Sequence, residues 1–358
     1  MALQYNIKRT ISLWVFLFVL STMGSCILDP DLDNHNEGES AMLRLVIDDV
    51  ASLSASKSPT LRAGFNEAQV FDLHVLVYDS EGSLTGHGYA VSNTVTVNTH
   101  SGTGCNVFAF TNTFNSALFD GNAANVRSLL EGMTTSPDLT STDAIQTTNG
   151  TDSRLLMSGS KSLDIVAGTN PSTSLSVARL SARIRLNLKT GSGVTITGYR
   201  FFNVPVRSWL LAHPNTAEST ASDEVAGDDA VKASTSGDWI SSPLVTVPST
   251  PYDGTFYMYE NRRGGRKKVG ETTGNNLDWT EKEFYAPDCA TYVEIYAHTG
   301  SYTATYRLYL GADKYTNYNV KRNFSYTYDV TVNAGTGITI SSIQIEPWAE
   351  VPGGSATI

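Results

Sequence analysis

The chain has 358 residues and a formal net charge of −10, and only 17% of its residues are charged. An acidic chain has no surplus of Lys and Arg to neutralise phosphates, which excludes a nucleic-acid partner. The length points to two domains rather than one core. A composition rich in Thr, Ser, Gly, Tyr and Val points to an all-β extracellular protein rather than a helical cytosolic one.

Residues 1–25 read as a signal peptide. Lys8 and Arg9 form a positive start, Ile11 to Leu20 an apolar stretch too short for a comfortable membrane span, and Ser21 to Ser25 supply the small residues of a cleavage site. Met23-Gly24-Ser25-Cys26 looks like a bacterial lipobox, in which the cut falls before Cys26 and the thiol carries the lipid; the alternative is an ordinary signal peptide with a chance Cys. Acyl chains contribute ~0.8 kcal/mol per buried CH₂, so the expected mature form is anchored to a membrane and does not span it. Residues 26–40, with Asp29, Asp31 and Asp33, are too polar to fold and form an acidic tether.

Residues 41–49 alternate Leu43, Leu45 and Ile47 with Met42, Arg44, Val46 and Asp48, the pattern of a half-buried strand. Residues 50–68 form a Ser-rich connector carrying Lys57, Pro59 and Arg62, exposed by composition and open to proteolysis. A second alternation places Phe71, Leu73, Val75 and Val77 opposite Asp72, His74, Leu76 and Tyr78. Tyr89 to Asn98 and Asn106 to Thr111 read as further strands, and Ala123 to Gly132 as the one short helix, with Val126, Leu129 and Leu130 on one face.

A second unit begins near Ser174. Leu175 to Leu188 turns Ile184, Leu186 and Leu188 inward and Arg179, Arg183 and Arg185 outward. Thr216 to Ser236 is a polar surface insertion, and Arg262, Arg263, Arg266, Lys267 and Lys268 around Gly264 and Gly265 suggest a solvated hairpin tip. Strand signals at this spacing give two β-sandwich domains in tandem, residues 41–174 and 175–348, followed by a tail at 349–358.

The sequence holds no chemistry to match an enzyme. The six His have no metal-ligand spacing on one element, no nucleophile elbow, phosphate loop or Cys/His signature is present, and no cofactor or metal is implied. Asp48-Asp49 and Asp228-Asp229 suit solvation better than glycosidase chemistry. Cys105 and Cys289 lie in different expected domains and are read as unpaired.

The segment LRAGFNEAQVFDLHVLVYDSEGSL resembles the maturation site and first mature strand of the Bacteroidetes fimbrillins, the FimA-type subunits of type V pili. NVFAFTN, VARLSARIRL, FYMYEN and YNVKRNFSYTYDVTV through IQIEPW continue the likeness in order. The resemblance implies transthyretin-like, Greek-key sandwiches and a structural fimbrial subunit that contributes to adhesion. It implies lipidation at Cys26 in the outer membrane and cleavage between Arg62 and Ala63 by an Arg-specific surface protease. The strand of Leu43, Leu45 and Ile47 would then leave, and another subunit's tail would fill its place by β-strand addition. In this chain the donor tail would use Val351, Ala356 and Ile358, against the alternative of a frayed terminus. The implied partners are other fimbrial subunits, in a head-to-tail homopolymer or a mixed fibre, and a host or bacterial surface ligand. Alternatives are an anchor or tip subunit that does not polymerise, and a surface glycan-binding lipoprotein using Trp209, Trp239 and Trp279.

Overall fold

A computed structural model describes residues 38–47, 67–135, 147–149, 152–168, 172–212, 239–265, 279–300, 302–334 and 337–347. The chain divides into Met1–Glu39 and Ser40–Ile358, and the strands and helices of the described residues belong to the second unit. Its β-branched and aromatic alternation is realised as an all-β fold, with two short helices among the described residues.

The first half runs β1 (Ser40–Val46), β2 (Leu73–Tyr78), β3 (Leu84–Ala90), β4 (Thr94–His100), β5 (Gly102–Thr111), α1 (Arg127–Glu131), β6 (Thr147–Asn149), β7 (Asp152–Arg154), β8 (Met157–Ile165), β9 (Ser172–Ser174) and β10 (Ala178–Arg179). These strands form a three-stranded sheet ordered β4-β1-β9 and a five-stranded sheet ordered β10-β8-β5-β2-β3. One core lies between them, built from Leu43, Leu45 and Ile47 on one side and Leu73, Val75, Val77, Val107 and Met157 on the other. Gly86 and Gly88 let β3 approach β4: a Cβ on Gly86 would stand 2.6 Å from Asn98 O, and one on Gly88 2.8 Å from a Val97 methyl.

Three readings of this half are corrected. Tyr89 to Asn98 is not one strand but the end of β3, a turn and the start of β4, because Ser92 and Asn93 break the extended run. The alternation in β2 does not mean half-burial. All six residues are buried, because β2 is an inner strand whose second face is covered by residues 112–130. Phe119 packs 5.0 Å from the Phe110 ring, and Tyr78 donates a 2.6 Å hydrogen bond to Ala124 O. Within α1 only Leu130 is buried; Val126 and Leu129 are exposed, so the apolar face is narrower than the sequence pattern suggests.

The second half runs β11 (Ser181–Thr190), β12 (Val194–Phe202), β13 (Val204–Pro205), β14 (Trp239–Ile240), β15 (Val245–Thr246), β16 (Tyr252–Tyr259), β17 (Asn261–Gly265), α2 (Trp279–Phe284), β18 (Tyr292–Thr299), β19 (Tyr302–Tyr309), β20 (Asn317–Val320), β21 (Phe324–Asn333) and β22 (Gly337–Pro347). One sheet is ordered β16-β11-β21-β22 and the other β15-β12-β18-β19. Ile184, Leu186 and Leu188 of β11 share a core with Val293 and Ile295 of β18 and with Tyr326, Tyr328 and Val330 of β21. Tyr328 is fully buried and satisfied, accepting from Gly311 N–H and donating to Gly311 O, each at 2.9 Å. Glu260 and Arg322 form a buried pair: Glu260 accepts from Arg322 Nε and from its backbone N–H, both at 3.0 Å.

The helix α2 is a second helix where the sequence pattern suggests only one. Arg262 is also corrected: it lies buried in β17, paired with Asn319 of β20, rather than at a solvated tip. Arg266, Lys267, Lys268 and the Thr216–Ser236 insertion lie outside the described residues.

Candidate functional site

The first strand occupies a slot rather than an edge. β1 pairs antiparallel with β4 over seven positions, from Ser40↔His100 to Val46↔Thr94, and parallel with β9 through Arg44↔Ser172, Leu45↔Thr173 and Val46↔Ser174. Its ends are held by Gly168 N–H on Ser40 O at 3.1 Å and by Ile47 N–H on Asn93 O at 2.8 Å. Inward-facing Leu43, Leu45 and Ile47 are 0% exposed and Ala41 3%, whereas Met42 on the outer face is 44% exposed. The alternation read from the sequence is therefore present, with the three named residues on the core side.

Burying three such aliphatic side chains contributes on the order of 5–9 kcal/mol, comparable with the whole stability of a typical domain. Removing β1 would also leave both β4 and β9 without a strand partner among the described residues. The strand is thus a large stabilising element joined to the rest of the sandwich by one connector, residues 48–66, which lies outside the described residues together with Arg62 and Ala63.

Downstream of that connector the chain is held at several points. The Glu67 carboxylate accepts from Arg183 Nη1 at 2.7 Å and from the Tyr257 hydroxyl, and Glu67 O accepts from Arg179 Nε at 2.9 Å. Burial brings the Arg179 guanidinium down to about 10, opposed by the nearby Glu67 charge. Burial likewise pushes the Tyr257 hydroxyl far above its ordinary range, and Glu67 adds to that shift. Asn112 Nδ2 donates to Gln69 O at 2.9 Å and to Leu155 O at 2.8 Å, and its Oδ1 accepts from Phe71 N–H. The Asp72 carboxylate then accepts from the Thr113 and Phe114 N–H groups at 2.9 and 2.7 Å. The turn it caps has Asn112 and Phe114 at positive φ, a conformation needing such support.

Arg179 is accordingly a correction. The sequence pattern points it outward, but it is buried, with a backbone carbonyl as partner. Glu67 anchors this stretch although the sequence does not single it out, and nothing local to it signals the contact, since Arg183 and Tyr257 lie far away in sequence.

On the second face of the five-stranded sheet, His74 and His87 form a chain of donors. His74 Nε2 donates to Asn115 O at 2.9 Å, so its Nδ1 is the acceptor for His87 Nε2–H at 3.1 Å. The ring planes are 11° apart and the centroids 5.4 Å apart, the dimensions of two rings meeting edge to edge. Burial pushes both imidazoles below the usual 6.5, with nearby Asp120 partly opposing the shift. No group of three or more His, Cys, Asp and Glu among the described residues could hold a metal. Cys105 and Cys289 are not joined to each other.

The Trp residues considered for glycan stacking do not build a platform among the described residues. Trp209 bridges to Thr134, and Trp239 pairs with Pro205 beneath the Arg263 guanidinium; the Trp279 side chain lies outside the description. The sheet β15-β12-β18-β19 instead carries Phe202, Tyr292 and Tyr309 in a row, with centroid spacings of 5.0 and 5.1 Å. Phe202 and Tyr292 stack on each other, and Arg307 lies 4.6 Å over Tyr292, so their faces are already engaged. Cys26, Val351, Ala356 and Ile358 lie outside the described residues.

A family model described as a domain of unknown function, DUF4906, matches residues 256–330. No curated protein matches the sequence. Among solved structures, the tip fimbrial protein Mfa3 from Porphyromonas gingivalis is 16% identical with a TM-score of 0.53, covering 86% of this chain and 100% of its own. A protein assigned to cell adhesion from Bacteroides eggerthii is 18% identical with a TM-score of 0.52, covering 88% of this chain and 98% of its own. The fimbrilin from P. gingivalis is 12% identical with a TM-score of 0.52, covering 86% of this chain and 98% of its own. At these identities the likeness is one of fold: the chain has the fold of Bacteroidetes fimbrial proteins.

Proposed function

We propose that the chain is a structural subunit of a cell-surface fimbria, exported as a lipoprotein, cut by an Arg-specific protease and assembled by strand exchange. The carrying observation is the position of β1, an inner strand with Leu43, Leu45 and Ile47 fully buried between β4 and β9. An inner strand that can be cut loose leaves unpaired N–H and C=O groups above an apolar channel, which is a template for another strand. A neighbouring subunit supplies that strand. Because donor and acceptor surfaces differ, the contact runs head to tail and grows a fibre rather than closing. Lipid on Cys26 holds the uncut chain in the outer membrane, cleavage between Arg62 and Ala63 releases it, and the fibre serves adhesion. The described staples at Glu67, Asn112 and Asp72 suit this scheme, since they hold the chain downstream of the cut while the upstream piece leaves.

N-terminal sequencing of the surface-exposed form tests the scheme. It is expected to begin at Ala63 and to lack the lipid of Cys26, and the cut chain should bind a labelled peptide of residues 40–47 that the uncut chain refuses. A surface form that still begins at Cys26 overturns the maturation step.

A further inference from the structure

The slot of β1 is selective, and the selection bears on which strand can refill it. Its inner face has four subsites in sequence, filled by Ala41, Leu43, Leu45 and Ile47, all 3% exposed or less. The floor is formed by β2 and β5, where β2 is buried along its whole length and β5 at Val107–Phe110. Tyr78, Phe108, Phe110 and Phe119 back that floor on its far side. A floor packed on both faces cannot sink to fill a void, so an undersized side chain leaves a cavity. The slot also has strands on both sides, so its occupant meets ladder partners in both directions over part of its length.

Residues 349–358, the donor segment implied by the fimbrillin likeness, fail both requirements. Every seven-residue window within them contains Pro352, Gly353 and Gly354. A Pro between two strands removes a ladder donor and is confined by sterics to edges and bulges. Because the two glycines are adjacent, one of them falls on a central Leu subsite in either alternation, whichever direction the strand runs. In the frame starting at Ala349, for example, the subsites receive Ala349, Val351, Gly353 and Ser355 where β1 supplies Ala41, Leu43, Leu45 and Ile47.

We infer that the slot vacated by β1 takes a strand from a different subunit rather than residues 349–358 of another copy of this chain. The partner strand carries a small residue followed by large aliphatic residues at three alternate positions, without Pro between them. It runs antiparallel to β4 and meets β9 in parallel, as β1 does. This rests on the strand-exchange reading and decides its open choice in favour of a mixed fibre, with the chain at a junction between unlike subunits.

The test uses the full chain cut with an Arg-specific protease and three labelled peptides: residues 40–47, residues 349–358, and residues 349–358 with Pro352→Thr, Gly353→Leu and Ser355→Ile. The substituted peptide and the 40–47 peptide should bind, and the native 349–358 peptide should bind at least ~100-fold more weakly, the scale of a large-to-small change at an unyielding core site. Native and substituted peptides binding within about threefold of each other would overturn the inference while leaving strand exchange in place. If none of the three binds, the strand-exchange reading itself fails. A second arm needs no cut chain: the intact protein with Leu43→Val, Leu45→Gly and Ile47→Ser should lose much of its urea midpoint, and an unchanged midpoint overturns the selectivity.

Discussion

The first and last described strands are both long, both β-prone, and placed in opposite ways. β1 sits in the middle of its sheet, flanked by β4 and β9, whereas β22 closes the edge of its sheet and pairs with β21 alone. Leu43, Leu45 and Ile47 are fully buried along the first, whereas the second is buried only at its start, at Ile338 and Ile340, with Ile343 and Ile345 partly buried. Removing β22 would leave β16, β11 and β21 joined; removing β1 would divide its sheet and orphan both β4 and β9. The seven-residue strand is therefore the keystone of its sheet, while the eleven-residue one is an edge whose second part is only half-buried. Only the keystone is attached through a connector rich in Ser and carrying basic residues.

The sharpest way to break this contrast is to shorten a side chain in each strand. Leu45→Ala should lower stability by about 2.7–5 kcal/mol, as core leucines do, read from the urea midpoint at constant m. A loss under about 1 kcal/mol would mean the slot collapses easily and the keystone description is wrong. Next in size, Glu67→Gln keeps the shape but weakens the charge-assisted contacts to Arg183 and Tyr257. The expected cost is about 1.5–3 kcal/mol, with faster proteolytic trimming past residue 67 in the cut chain. Ile343→Ala on the edge strand should cost only about 1 kcal/mol, since much of its surface is already in water; a loss equal to that of Leu45→Ala would erase the distinction.

The smallest effect is a slope with pH. His74 and His87 both have folded-state values below 6.5. Between those values and 6.5 the unfolded chain binds protons that the folded chain does not, so stability rises with pH through that window. It should be full above about pH 6.5 and fall as the pH drops below it, and His87→Asn should flatten the curve. A midpoint that does not change from pH 7.5 to 5.5 would count against the His74–His87–Asn115 chain of hydrogen bonds.

Much of the keystone is legible in the residues themselves. Period-two alternation places Leu43, Leu45 and Ile47 on one face, because side chains on a strand alternate by geometry alone. The misreadings have two causes: long-range partners leave no local trace, and some local signals are too weak to read. Arg179 carries a charge and so reads as outward, yet Glu67 O supplies the acceptor that makes its burial tolerable. The turn after Ala90 lacks Gly and Pro, so its Val91-Ser92-Asn93 sequence does not interrupt the pattern visibly. The helix at Trp279–Phe284 is too short for an apolar period to emerge. Its Lys282 is buried against Asp313 O and the Tyr318 ring, and burial brings its amine down to about 8.

The pairing of Leu45 with Thr173 joins residues far apart in the chain, and it runs parallel rather than as a hairpin. Such contacts form late, because a long loop must close before any reward is gained. In the nascent chain β1 is present when β9 arrives, so it acts as the mould against which that wall of the sandwich sets. Under the proposed maturation, the cut form is then a state reached through folding with the mould in place. A chain lacking β1 would have to close the same wall around nothing, so under the proposed scheme the N-terminal segment serves as an intramolecular folding template before it leaves.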